Sequence, residues 1–172
     1  MPSSRPSSRT LLSRSRVVAL LRPFEEICMW LHPRSALVAL TSGVFDIAHS
    51  GHRRFLARCK SLCDTLVVGV DSDDLVRARK GVNRPFQREL ERALNVASLE
   101  WPDFVFIKSS SMDNLLPLLR PNVYAISQQH RITVRRSDTL CRLKIRLVKL
   151  PYDYSVSTTI LLAERERNEF LL

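Results

Sequence analysis

Short apolar runs separated by amphipathic stretches recur along the chain, and their spacing predicts strands alternating with helices. Phe24, Ile27, Cys28 and Leu31 fall at helical spacing, and Pro33 closes that segment. Ala36 to Leu40 reads as a short buried strand that runs straight into a glycine turn. A helix should open near Gly51 or His52, since Phe55, Leu56, Cys59 and Leu62 or Cys63 share one face while Arg53, Arg54 and Arg58 occupy the other. Thr65 to Val70 is a second buried strand, and Asp71-Ser72-Asp73-Asp74 supplies short polar side chains that can cap a new helix. After Gly81 and Pro85, a helix from about Gln87 to Ser98 presents Leu90, Leu94 and Ala97, followed by a strand at Phe104 to Ile107. Ser111 can cap a helix through Leu115, Leu116 and Leu119 that Pro121 ends, before a strand at Val123 to Ile126. Leu143 to Val148 alternates apolar and basic residues, as a strand with one wet face does, and a terminal helix starts near Ser157 and runs through Ile160, Leu161 and Leu162. This order predicts an α/β fold, a single Rossmann-like doubly wound parallel sheet with ligands at the carboxyl ends of the strands where strand order reverses.

A length of 172 residues suits one such domain. Half of the net charge of +10 belongs to the first 22 residues, which hold five arginines, many serines and no acid. Residues 1–23 are therefore expected to be a basic, disordered tail, with an organelle transit peptide as a second reading, and residues 24–172 the folded domain. A second basic stretch, Arg131 to Lys149, has seven Lys or Arg against Asp138 alone. Its first reading is a solvated strand face, its second a surface that steers polyphosphates or nucleic acid toward the protein. Cys28, Cys59, Cys63 and Cys141 form no Cys-x-x-Cys pair, which argues against a zinc knuckle or a disulfide framework and fits a reducing, cytoplasmic setting. The longest early apolar run, Val17 to Leu21, is far short of a membrane span.

The candidate chemistry sits at Thr41-Ser42-Gly43-Val44-Phe45-Asp46-Ile47-Ala48-His49-Ser50-Gly51-His52, between the first strand and the helix. Gly43 and Gly51 allow tight turns and close approach of backbone to a phosphate, and a helix N-terminus adds free N–H groups and the positive end of a dipole. His49 and His52 there can donate hydrogen bonds to a triphosphate as charge builds on its oxygens. No general base is required, because an acceptor phosphate is already ionised.

Thr41 to His52 resembles the His-x-Gly-His signature of the cytidylyltransferase-like nucleotidyltransferases. The similarity continues through Gly69 to Asp73, Lys80 to Pro85, Glu91-Arg92 and Val156 to Ile160, and is nearest to the heptose 1-phosphate adenylyltransferase and glycerol-3-phosphate cytidylyltransferase branch. The resemblance implies that His49, His52 and Lys80 are catalytic and that Gly43, Val44, Phe45, Ser157 and Thr158 help bind the nucleotide. It assigns Asp71, Lys80 and Arg92 to the acceptor, and Asp46 to ordering the loop. It implies transfer of a nucleoside monophosphate from ATP or CTP to a phosphorylated sugar, polyol or similar small acceptor, with release of pyrophosphate. Mg²⁺ is expected to arrive with the nucleotide, with no metal-ligand set on the chain. A homodimer is a further implication, with no membrane partner. Two places depart from the pattern. Ile126-Ser127-Gln128-Gln129-His130 lacks the glycines and acid of the family's loop, and Pro151-Tyr152-Asp153-Tyr154-Ser155 lacks its arginine. The alternative is an inactive relative that binds nucleotide or RNA, although the scarcity of aromatics in its basic segments argues against nucleic acid as a partner.

Overall fold

A computed structural model describes residues 20–31 and 36–152, and these build a six-stranded sheet with helices on both faces. In chain order the elements are β1 (Leu20–Leu21), α1 (Phe24–Leu31), β2 (Val38–Gly43), α2 (Ser50–Lys60), β3 (Thr65–Asp71) and α3 (Asp73–Lys80). They continue with α4 (Glu89–Ala97), β4 (Phe104–Lys108), α5 (Met112–Leu119), β5 (Val123–Ser127), α6 (Val134–Arg142) and β6 (Arg146–Leu150). Every strand pair is parallel and the order is β1-β4-β3-β2-β5-β6. Succession runs one way from β2 through β3 to β4 and the other way through β5 to β6. The switch point is therefore the β2/β5 boundary, and the doubly wound sheet expected from the alternating pattern is the one observed.

The central strands are apolar on both faces because both faces are covered. On one, Val38, Leu40, Val67, Phe106, Tyr124 and Ile126 pack against α1, α5 and Leu140 of α6. On the other, Ala39, Leu66, Val68, Val70, Val105 and Ala125 meet Phe55, Leu56 and Cys59 of α2 and Ala93, Val96 and Ala97 of α4. Glycine at 69 is a packing requirement, since a Cβ there would come within 2.9 Å of the Phe106 ring. Burial pushes the Cys59 thiol up to about 12 and that of Cys63 to about 11, so neither is a ready nucleophile.

Four expectations are corrected. Leu20 and Leu21, assigned to the tail, form a two-residue strand beside β4, with Leu20 opposite Phe104 and Leu21 opposite Val105. Leu90 and Leu94 of α4 face outward, and the buried side carries Arg92, Ala93, Val96 and Ala97. Small alanines let that helix lie close to the sheet, and the bonds of Arg92 described below offset the burial of its charge. The basic stretch from Arg131 is no single strand face, because its first half is α6, capped by the Thr133 hydroxyl. The last strand begins at Arg146 rather than Leu143, which closes the α6 turn. The helix expected from Ser157 lies outside the described residues.

Candidate active site

The first turn of α2 is built around two histidines. His49 is the N-cap, with extended backbone, and its Nδ1 accepts the Gly51 N–H at 3.1 Å. His52, three residues on, turns its own Nδ1 back to the His49 N–H at 3.4 Å, which completes a reciprocal capping box. A ring whose Nδ1 accepts a hydrogen bond carries its proton, when neutral, on Nε2. Both imidazoles therefore present an Nε2–H, and the rings lie 3.9 Å apart, centroid to centroid. Burial pushes the pKa of His52 down to about 3, with His49 and Lys80 adding to the effect, so the ring is an uncharged donor at any physiological pH.

That depression has a consequence for stability. An unfolded histidine gains its proton below about pH 6.5, whereas folded His52 does not, so the unfolded chain binds more protons there and stability falls as pH drops from 6.5 toward 3. Above pH 6.5 the group contributes no pH dependence. Between pH 7.5 and pH 5 the ligand-free protein should lose about 2 kcal/mol through His52. Urea unfolding at the two pH values should show this loss in the wild type. It should shrink by that amount in His52→Gln, whose amide oxygen can still accept the His49 N–H.

The loop between β2 and α2 is held in an uncommon conformation. Phe45 and Ile47 both have positive φ, 53° and 49°, a region that a β-branched residue such as isoleucine avoids. Asp46 between them keeps it so, because its buried carboxylate accepts from the backbone N–H groups of Phe86 (3.0 Å) and Gln87 (3.1 Å) and lies 3.6 Å from the Arg84 guanidinium. The ordering role expected of Asp46 is thus a clamp onto the segment after α3. Gly43 lies close beside it: a Cβ there would sit 3.1 Å from the Phe45 ring and press on it, and that ring in turn leans on His52 at 5.2 Å.

A cavity of about 560 Å³ opens over the carboxyl ends of β2, β3, β4 and β5, at the switch point. Gly43, Val44, Phe45, His52, Asp71 and Lys80 all line it. Lys80, the last residue of α3, is exposed at its edge. Three further cations that sequence reasoning did not single out join the wall: Arg79, Lys108 and Arg136. Asp71 pairs with Arg79 and, at 2.7 Å, with the buried ammonium of Lys108. Arg136 makes a two-pronged contact with Asp113, at 2.9 and 3.3 Å. Burial works against the Arg136 charge, but Asp113 and the Tyr124 hydroxyl outweigh it and the pKa rises. His130, from the loop that departs from the family pattern, also lines the wall, its pKa lowered by burial and by Arg136 and Arg79. The cavity wall thus carries four cationic side chains, of which Arg79 and Lys108 share Asp71 and Arg136 is held by Asp113, so that Lys80 brings the cation best placed to meet an anionic ligand.

Two expected residues stand elsewhere. Arg92 does not reach the cavity and is fully buried. Its Nε donates to the Gln87 carbonyl (2.9 Å), one terminal nitrogen to the Val44 carbonyl (2.6 Å) and the other to Asp73 (2.6 Å). The assignment to an acceptor phosphate is corrected, because all three guanidinium nitrogens are engaged by protein groups. His49 is close behind the wall but not on it, covered by Tyr152, whose hydroxyl lies 3.4 Å from His49 Nε2. Ser157 and Thr158 lie outside the described residues. Among the described residues no three His, Cys, Asp or Glu side chains converge as a metal-ligand set, and no helix is long and apolar enough to cross a membrane.

Comparison with known proteins is consistent with this geometry. The family model described as cytidylyltransferase-like matches residues 40–162. The chain is 38% identical over 107 residues to the bifunctional protein HldE of a Nitratiruptor species, covering 60% of this chain and 23% of that protein. It is 30% identical over 148 residues to HldE of Helicobacter pylori, covering 86% of this chain and 32% of that one. The match thus spans only a quarter to a third of the length of these curated relatives. Among solved structures, a lipopolysaccharide core biosynthesis protein from Thermoplasma volcanium shares the fold with a TM-score of 0.61 at 21% identity, over 69% of this chain and 99% of that one. Pantoate-beta-alanine ligase from Francisella tularensis shares it with a TM-score of 0.53 at 13% identity, over 74% of this chain and 63% of the other.

Proposed function

Because the chain belongs to the cytidylyltransferase-like family, we propose that its cleft transfers a nucleoside monophosphate from ATP or CTP to a phosphorylated sugar, polyol or similar small acceptor. The observation that carries this reading is the uncharged His52 donor on the α2 N-terminus, sharing with Lys80 a cation-lined cavity at the switch point. An oxygen of the acceptor phosphate forms the new bond to the α-phosphorus. The bond from that phosphorus to the bridging oxygen breaks, and pyrophosphate leaves with the electron pair. The attacking oxygen carries no proton to be removed, so the protein need only align the two phosphates and stabilise the charge that develops. His52 Nε2–H at the positive end of the α2 dipole is suited to that charge, and Lys80 can follow it on a flexible stem. Mg²⁺, which supplies charge neutralisation to such reactions, would be carried by the triphosphate and water, since the carboxylates on the cavity wall are engaged by Arg79, Lys108 and backbone N–H groups. The HldE relatives favour a sugar phosphate as acceptor.

The test is pyrophosphate release with each nucleoside triphosphate against a panel of phosphorylated sugars and polyols. One pair should give steady turnover. Lys80→Met should lower kcat/KM for that pair by about 10- to 100-fold, the scale of one lost charged contact, with Tm unchanged because the side chain is exposed. Absence of release from every pair, together with salt-sensitive RNA binding, would sink the enzyme reading in favour of a binding module.

A further inference from the structure

Tyr152 stands two residues past the end of β6, at a place where the chain departs from the family pattern, and several contacts fix it. Arg58 on α2 donates to the Pro151 carbonyl at 2.7 Å, which fastens this stretch of backbone to the helix that carries the histidines. The phenol ring stands edge-on to three rings of that helix start: Phe55 at 5.7 Å, His52 at 5.8 Å and His49 at 6.2 Å between centroids. His49 Nδ1 is committed to the Gly51 N–H, so its proton is on Nε2, and the group facing Nε2 is the Tyr152 hydroxyl at 3.4 Å. Tyr152 lines the cavity while His49 does not.

We propose that Tyr152 is a positioning residue of this site: its hydroxyl accepts the His49 Nε2–H and holds that ring, and its own ring walls the cavity beside His52. Accepting at the phenol oxygen locks His49 in one tautomer, which fixes the capping box and so the direction of the neighbouring His52 Nε2–H. The kinetic part of the proposal rests on the nucleotidyl-transfer reading. The tautomer part does not.

Two measurements on the full chain separate them. In the first, Tyr152→Phe keeps the ring and removes the hydroxyl. It should lower kcat for pyrophosphate release about five- to twentyfold, with KM for the nucleotide within about twofold and Tm lowered by only a few degrees, as expected for one unsatisfied donor. Added to His49→Ala, it should cause no further loss. Wild-type kcat in Tyr152→Phe, or an effect that adds in full to that of His49→Ala, would overturn the proposal. In the second, long-range ¹H–¹⁵N spectra of the imidazoles need no turnover. His49 should appear as the Nε2–H tautomer with a slowly exchanging ring proton that Tyr152→Phe exposes to exchange. A proton on Nδ1, or identical exchange in both proteins, would overturn the proposal even if no substrate pair were ever turned over.

Discussion

Replacing His52 by alanine is expected to reduce pyrophosphate release by about 10²- to 10³-fold, the cost of removing one preorganised donor from a site where negative charge develops. The loss should appear in kcat and in kcat/KM alike, because a donor aimed at charge that exists only in the transition state adds little to ground-state binding. The same change removes the acceptor of the His49 N–H. Part of the deficit therefore reflects a loosened helix start, and His52→Asn or His52→Gln, which can keep the capping contact, separates the two contributions. If His52→Gln were as active as the wild type, the Nε2–H would have no part in the chemistry. Because the ring is neutral down to about pH 3, the activity profile should show no acid limb near pH 6.5 that disappears with the histidine.

Arg92→Met should give the largest loss of stability of any single change considered, about 3 to 5 kcal/mol, because it removes one member of a buried charged network and leaves the other members behind. Asp73 would lose its 2.6 Å partner, and the half-buried carbonyls of Val44 and Gln87 would lose the donors of a guanidinium that is itself fully buried. At about 2 to 4 °C per kcal/mol for a chain of this size, Tm should fall by roughly 6 to 20 °C. Lysine is no substitute, since one ammonium cannot span three acceptors that belong to α3, the turn before α4 and the histidine loop. Thermal unfolding distinguishes this from a role in substrate binding. A variant with normal Tm and a raised KM for the acceptor would return Arg92 to the site.

The histidine loop was legible in the sequence because its parts are consecutive: strand, glycine, two imidazoles and helix follow one another within a dozen residues. The central strands were legible for a similar reason, since a strand buried on both faces is apolar at every position, as Leu66 to Val70 shows apart from its glycine. Helix α6 was hidden because only Thr139 and Leu140 of its nine residues are buried, too few to mark an apolar face. Lys108, Arg79 and Arg136 escaped notice because they come from three different elements and meet only in the folded cleft. Arg92 shows the limit most plainly. An arginine on a helix aimed at the cleft reads the same whether its fork holds a ligand or protein carbonyls, and only the three partners decide. Leu90 and Leu94, read with Ala97 as the apolar side of α4, face outward because the buried side had to accommodate that guanidinium.

The two-residue strand Leu20–Leu21 bears on how the protein can be handled. A shortened chain that starts at residue 24, the boundary that composition suggests, would discard the only strand lying along the outer edge of β4 among the described residues. The backbone of Phe104 and Val105 would then present unpaired hydrogen-bonding groups beside apolar side chains, which is a template for sheet-to-sheet aggregation. A trimmed version meant to stay monodisperse should keep Leu20 and shed only the arginine- and serine-rich residues ahead of it.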